Sequence, residues 1–282
     1  MYRGIICLAV AGLLLTACDV VEFEGQTASL HKAVPMAGEE LLEVDVDVPV
    51  GKLEIEAGTG GNLYEFDLDY NENAFTPEVE FQKRGNTGVL RFRLNGEGKH
   101  VRRMGKNRLN LRLNPDVPIV LRAKSGVGES QIDLGGMRIR ELDIENGVGE
   151  TSISMLEPNR ISCDRVDIQN GVGSLKMTGL GNLASKQLKF QGGVGGSELD
   201  FSGDWREEGD IDIEVGVGGV ELRMPRSVGA EVKANRTFMS GVDLPEFEKR
   251  GDTYISYNVD RVSKVLRLRI EAGIGGVELR WL

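Results

Sequence analysis

Six copies of a Gly-x-Gly element recur along this chain in one hydrophobic frame: Gly126-Val127-Gly128, Gly147-Val148-Gly149, Gly171-Val172-Gly173, Gly193-Val194-Gly195, Gly216-Val217-Gly218 and Gly273-Ile274-Gly275. Successive first glycines lie 21, 24, 22, 23 and 57 residues apart. A period of this size marks a repeat architecture, in which no unit buries its apolar face alone and each must stack on its neighbours. Apolar residues fall five and three positions before the first glycine, from Leu121 and Ala123 to Leu268 and Ile270. They fall again six and usually eight positions after it, from Ile132 and Leu134 to Leu279 and Trp281. The third copy departs from this, with Met177 followed by Gly179. Spacing by two is strand periodicity with one buried face. Asp143, Glu145, Asp167, Gln169, Asp212, Glu214, Arg267 and Arg269 then occupy the outer face. Each unit is predicted as strand, glycine turn, strand, with the glycines permitting a positive φ or a sharp bend. The Val or Ile between them is expected to point inward and fill the corner. The expected fold is all-β, a β-solenoid-like stack of strand-turn-strand repeats with an N-terminal β-subdomain as cap.

Two regions depart from the frame. The last interval, Gly216 to Gly273, is expected to hold degenerate coils at Val228–Ser240 and Asp252–Asn258, with Gly241-Val242-Asp243-Leu244-Pro245 as a turn between them. Before Gly126, Val44, Val46 and Val48 alternate with acids, and Leu53 and Ile55 precede Gly58-Thr59-Gly60 as if in the same frame. Tyr64 to Tyr70, Val79 to Phe81 and Leu90 to Leu94 continue as alternating strands, and the aromatic residues concentrate there. This division predicts an N-terminal β-subdomain over 38–115 and a repeat domain over 116–282. The final edge near Leu279 to Leu282 needs a cover, because an open strand edge invites pairing. Trp281 is expected to belong to the core.

Residues 1–17 read as a signal peptide. Arg3 supplies the positive start, and an apolar run from Gly4 to Leu15 is too short for a stable membrane span. The run ends in Leu15-Thr16-Ala17-Cys18, which resembles the lipobox of bacterial lipoproteins, where the cysteine is diacylated and becomes the first mature residue. Acyl chains contribute about 0.8 kcal/mol per buried CH₂, so two of them hold a protein stably at a bilayer. The expectation is a protein tethered to a membrane through lipid on Cys18, with residues 18–37 as a polar tether. It would lie in the bacterial cell envelope, exposed outside the cytoplasm.

The formal charge of −10 disfavours nucleic acid as a partner, since that binding rests on neutralising phosphates. Of Cys7, Cys18 and Cys163, only Cys163 is left as a thiol after processing and lipidation, which rules out an internal disulfide framework. Cys163 reads as a small packing residue. One basic stretch stands against the acidic background: Lys99, Arg102, Arg103, Lys106 and Arg108. It is either an anion-binding segment for an envelope polymer or lipid head group, or a loop that balances acidic neighbours. The glycine elements do not make a dinucleotide site, for none has the third glycine of Gly-x-Gly-x-x-Gly and no helical period follows. Gly192-Gly193-Val194-Gly195-Gly196-Ser197 approaches the calcium nonapeptide, but Ser197 stands where the aspartate ligand belongs. With only His31 and His100 in the chain, no catalytic triad or metal cluster is expected, and no cofactor.

Three stretches resemble the toast-rack β-proteins of bacteria, which overlap the LiaF-like and adhesin-like families: Leu53 through Tyr70 with Phe75-Thr76-Pro77-Glu78-Val79-Glu80-Phe81, the Gly-Val-Gly run, and Phe247–Tyr254 with Ile270–Leu279. The resemblance implies the stacked β fold and transfers no catalytic residues. It implies a non-enzymatic envelope protein that presents a rigid β-stack to a protein or surface polymer, in stress sensing or adhesion. LiaF-like proteins usually carry transmembrane helices before the repeats, whereas this chain offers a lipid anchor. The alternative is a carbohydrate-active enzyme on a β-solenoid scaffold, which requires a cleft with close carboxylates or aromatics on one outer face.

Overall fold

The computed structural model describes residues 27–96, 107–236 and 240–282. It is almost entirely β-structure, organised as one 16-stranded sheet that is mostly parallel. Its backbone is a ladder of seven long strands in the order β2 (Leu41–Ala57), β7 (Pro118–Asp133), β8 (Arg138–Ser154), β9 (Arg165–Thr178), β10 (Gln187–Asp200), β11 (Gly209–Met224) and β16 (Val265–Trp281). We call each such strand a rung. Neighbouring rungs are parallel and in register, so Val127 faces Val148, Val148 faces Val172, and Gly218 faces Gly275.

Each rung is one strand bent at its glycines, not two strands joined by a turn. The residues five and three positions before the first glycine are buried in every rung, and so are those six after it. These two sets lie an odd number of residues apart, so unbroken alternation would place them on opposite faces. The corner resets the alternation. A Cβ on Gly126 would run into the carbonyl oxygen of Pro49, and one on Gly128 into that of Gly51. The same collision recurs up the stack, from Gly149 onto Gly128 to Gly275 onto Gly218. The backbone there has turned so that these positions point along the stacking axis, at the rung before. The second glycine of each pair has positive φ, from +129° at Gly275 to +149° at Gly128. The residue between the glycines is thereby turned outward, contrary to the inward orientation expected from the sequence: Val127, Val148, Val172, Val194, Val217 and Ile274 are 43–49% exposed.

The N-terminal region joins the same ladder and the same hydrophobic core. Val50 pairs with Val127 and Gly51 with Gly128, so Pro49-Val50-Gly51 is the first corner. Val44 and Val46 face Leu121 and Ala123, whereas Leu53 and Ile55 face Ser130 and Ile132 in the second half of the rung. The frame predicted around Gly58-Thr59-Gly60 was therefore one half-rung out of place. Below β2 lies a split rung, β5 (Thr87–Gly96) beside its first half and β6 (Arg108–Leu113) beside its second. β4 (Phe75–Arg84) covers β5, and β3 (Asn62–Asn71) covers β6, both antiparallel. Phe66 and Phe92 meet edge to face at 5.5 Å and tie the two halves of this end together. Residues Thr27–Pro35, expected as tether, form β1 on the edge of β3. They are mostly exposed and lack apolar alternation, and backbone pairing holds them instead.

The other end mirrors this arrangement. β11 pairs directly with β16, and the intervening chain lies on the far side of β16. There β12 (Gly229–Arg236) and β13 (Ser240–Asp243) form a second split rung. The described part of the expected coil at Val228–Ser240 is therefore strand β12, but Gly241 to Asp243 are strand too, and the expected turn begins only after them. β15 (Thr253–Ser256) and β14 (Phe247–Arg250) close the end as an antiparallel pair beside β12. The edge of β16 is thus covered by its own chain. Trp281 is partly buried against the core, stacked on Phe247 at 5.7 Å, and its Nε1 donates to Pro245 O.

On the side away from the corner, short connections return the chain to the next rung and fill the core with Leu134, Met137, Leu180 and Leu183. Asn159 replaces a strand there: its Oδ1 accepts from Ile139 N and its Nδ2 donates to Ile139 O, both at 2.8 Å. At Gly179, where the repeat frame breaks, φ is +78° and the chain enters a 3₁₀ turn at Leu180–Leu183 that delivers Leu180 to the core.

The corner collision is directly testable. Gly149→Ala forces both a positive φ and a clash with Gly128 O, and is expected to destabilise by at least about 2 kcal/mol. Gly196→Ala, with no atom within 4 Å of its Cβ, should be neutral or slightly stabilising in the same thermal or denaturant titration. Equal effects would show that the corner does not depend on close backbone approach.

Candidate interaction surface

The outward corner residues form a continuous ridge. From Val127 to Ile274 they stand one per rung, at the ~4.8 Å spacing of paired strands, giving an exposed aliphatic edge roughly 24 Å long; Val50, at the same place in β2, is partly buried against the core. Soluble proteins seldom expose contiguous apolar surface without a use for it. Two grooves flank the ridge.

The first, about 830 Å³, crosses β8, β9, β10, β11 and β16 just before the corner. Its floor is made by the first glycines of the corners, and its outer row is Glu145, Gln169, Gln191, Glu214 and Glu271. No Lys or Arg is among the described residues that line it. Lys124, one rung outside, pairs with Glu145 at 2.7 Å, and Gln191 Nε2 donates to Glu214 Oε2 at 2.6 Å. Asn146 lies in the groove wall, buried, and its Nδ2 has no acceptor.

The second groove, about 1000 Å³, lies just after the corner, where Gly196, Gly219, Gly241 and Gly276 carry no side chain. Its acids are offset by bases: Arg223 binds Glu198 and Glu221, Arg280 binds Glu278, and Lys176 lies 3.3 Å from Glu198.

The glycines singled out in the sequence thus build this surface by leaving room, while the exposed residues between them supply its contacts. The ridge escaped sequence reading because alternation assigned those residues to the core. Of the basic candidates, Arg108 is engaged by Glu54 through two bonds, at 2.7 and 3.1 Å, the geometry in which a guanidinium is best satisfied. Lys99, Arg102, Arg103 and Lys106 lie outside the described residues, as do the predicted signal peptide and Cys18 after it. Cys163 is fully buried, donates to Arg165 O at 3.5 Å, and burial pushes its thiol up to about 12.

Ionisable groups cluster in two other places. His31, Glu65 and Asp67 come within reach of one another on β1 and β3 and could jointly offer three ligand atoms to a metal ion. Arg112 already donates to both carboxylates and holds Asp67 and Glu65 below the usual carboxylate range. The cluster is therefore satisfied as an ion-pair network, with His31 bonded to Asp67 at 2.7 Å. Asp143 and Asp167 are register partners on β8 and β9. Burial, and then the charge of Asp167, raise the Asp143 carboxyl above its ordinary value.

The model of the N-terminal domain of toast_rack, DUF2154, matches residues 23–178, more than half of the chain. The chain belongs to the toast-rack family. The match runs across the boundary predicted between the N-terminal subdomain and the repeats, in keeping with the single ladder. No curated protein is significantly similar to this toast-rack chain in sequence. Among solved structures, a candidate cell adhesion protein from Clostridium sporogenes shares 20% identity with a TM-score of 0.50, covering 91% of this chain and 100% of its own. A candidate adhesin from Bacteroides fragilis shares 18% identity with a TM-score of 0.44, covering 90% and 97%. The likeness to the first is one of fold. No helix among the described residues of this toast-rack protein is long and apolar enough to cross a membrane.

Two outcomes follow for the ionisable groups. The Cys163 peptide, followed by mass spectrometry, should be alkylated at least about a hundredfold more slowly in the folded protein than in denaturant, because burial and a raised pKa both suppress the thiolate. Comparable rates would place the thiol at an open site. A carboxyl with a raised folded pKa stabilises when protonated, and that contribution is lost as pH rises past the ordinary carboxylate range. Asp143→Asn should therefore raise the melting temperature at neutral pH, with the gain shrinking near about pH 3, where both forms are neutral.

Proposed function

We propose that this toast-rack protein is a non-enzymatic, lipid-anchored component of the bacterial cell envelope that holds a partner, protein or polymer, against its corner ridge. The observation that carries this reading is the ridge itself: an exposed aliphatic edge running through six successive rungs, from Val127 to Ile274, with a groove on either side. In-register stacking makes it rigid, so a partner gains contact without the cost of ordering the surface. The lipobox-like Leu15-Thr16-Ala17-Cys18 supports the anchor. The name given to the Clostridium sporogenes structure of similar fold lies in the same direction, towards cell adhesion. Against catalysis, neither groove has an aromatic residue among its described lining residues.

The anchor is tested by Cys18→Ser: labelled palmitate should no longer be incorporated, and the protein should move from the membrane to the soluble fraction. Retention in the membrane with no label would sink the lipid anchor. For the ridge, a photo-crosslinking residue at Val172 in intact cells should capture an envelope component other than the protein itself. Val148→Asp with Val217→Asp, three rungs apart, should abolish that product while leaving the melting temperature nearly unchanged. Adducts to self alone, or none, would refute the docking role.

A further inference from the structure

The near end of the stack leaves its core partly open. Register pairs Ala28, Leu30, Lys32 and Val34 of β1 with Tyr70, Leu68, Phe66 and Tyr64 of β3, which pack in or against the core. These β1 residues therefore continue the core face to the end of the sheet. β4 does the same on the facing layer, where Phe81 meets Tyr64 at 5.4 Å. No strand among the described residues pairs beyond β1 or beyond β4. Leu30 and Met36 are 37% and 42% exposed, and Val34, Tyr70, Val79 and Phe81 are only partly buried. A stack normally ends in a unit with a polar outer face; this end has an apolar rim instead.

The occupant of this rim is set by the chain before β1. With Thr27–Pro35 held in the sheet, the tether predicted over 18–37 is reduced to residues 19–26. The steps from Cys18 to Thr27 span at most about 32 Å. Lipid on Cys18 thus keeps the rim beside the bilayer, where a weak apolar contact is enough to seat it. Charge agrees. β1 carries Lys32 and no acid, β4 offsets Glu78 and Glu80 with Lys83 and Arg84, and Arg112 engages Glu65 and Asp67. The whole chain stands at −10, so an anionic lipid surface repels the body of the stack more than this end. Tyr257 and Leu282 are exposed too, but at the opposite end, nine or more strand steps from β1.

We infer that the β1–β4 end of the stack rests on the lipid surface that holds the anchor, with Leu30 and Met36 among the head groups. The ladder then rises from the bilayer. The ridge runs from Val127, four strand steps or ~19 Å above β1, to Ile274, nine steps or ~43 Å above it. The docking face is thereby held clear of the lipid, where a partner in the envelope can reach it. The inference rests on the anchor proposed above and adds which end of the molecule meets the membrane.

The test uses the full-length lipoprotein in vesicles of phosphatidylethanolamine and phosphatidylglycerol, with an environment-sensitive dye on one introduced cysteine at a time. Ala33→Cys and Gln82→Cys report on exposed positions of the two base strands, and Val172→Cys and Glu248→Cys on the middle and the far end. Doxyl-labelled lipid should quench the dye at positions 33 and 82 and leave it unchanged at 172 and 248. Leu30→Glu with Met36→Glu should remove the quenching at the base, while the protein still floats with the vesicles and keeps its melting temperature. Equal quenching at all four positions would lay the stack flat and overturn the inference. So would base signals that are silent or that ignore the double substitution. A crosslink between two copies through position 33, without quenching, would give the edge to a second copy instead. If the base is silent while Cys18 carries lipid and the protein floats, the anchor stands and only the orientation falls. If Cys18 carries no lipid, both fall.

Discussion

At each corner the backbone of one rung passes over a carbonyl oxygen of the rung before it with no room for a side chain. Gly128 over Gly51, Gly149 over Gly128 and Gly173 over Gly149 are successive steps of this contact. Everything else in the stack follows from it. The close approach lets parallel strands stay in register through a bend, so both halves of every rung face one core. Register in turn aligns like positions into rows, and rows become surfaces. The bend also resets the alternation of side chains, which ejects one aliphatic residue per rung and creates the ridge.

The ends of the stack show the same constraint by its relaxation. The rungs outside β2 and β16 are split at the corner, into β5 and β6 at one end and β12 and β13 at the other. The second carries no Gly-x-Gly element, and at the first Gly96 of Gly96-Glu97-Gly98 pairs with Phe75 and not with β2. Antiparallel strands then cover them, and these carry the devices that discourage edge pairing. β4 contains Pro77, Glu78 and Glu80, and β14 is only four residues long. The repeat is finite because its corner cannot be extended past a broken rung.

Much of this was legible in the sequence, and the failures have physical causes. The apolar positions around each glycine pair were readable because alternation reports burial directly. The outward turn of Val172 and its equivalents was not, because alternation assumes a straight strand. Gly58-Thr59-Gly60 imitated a corner, whereas the true first corner, Pro49-Val50-Gly51, has one glycine; no unbroken strand among the described residues runs beneath Pro49 to demand the other. β1 escaped notice because cross-strand bonds such as Ser29 to Asp69 hold it, not a buried face. The insertion of β16 between β11 and β12 is a property of chain order in space, to which sequence spacing is blind. The intact glycine frame at Gly273 was nevertheless a sign that this strand has a full rung on the side of Gly216. For the interaction surface, the glycines were visible and the grooves were not, since a groove is made of side chains that are missing.

In-register stacking sets a problem for any polar row, because identical groups are placed ~4.8 Å apart on adjacent rungs. Like charges at that distance oppose stacking. Where Asp143 and Asp167 meet, burial first and then the charge of Asp167 push the Asp143 carboxyl above its ordinary value. Other rows set opposite signs side by side in places, as Arg269 does against Asp212. Alternation satisfies the charges internally and leaves little hydrogen-bonding capacity for anything else. The row of the first groove resolves it differently, by placing Gln169 and Gln191 between Glu145 and Glu214. Lys124 offsets Glu145, and Gln191 donates to Glu214, so the like-charge step left in this row is Glu214 beside Glu271. Amides at the two middle positions keep the other carboxylates apart and let the strands stay in register beside the apolar ridge.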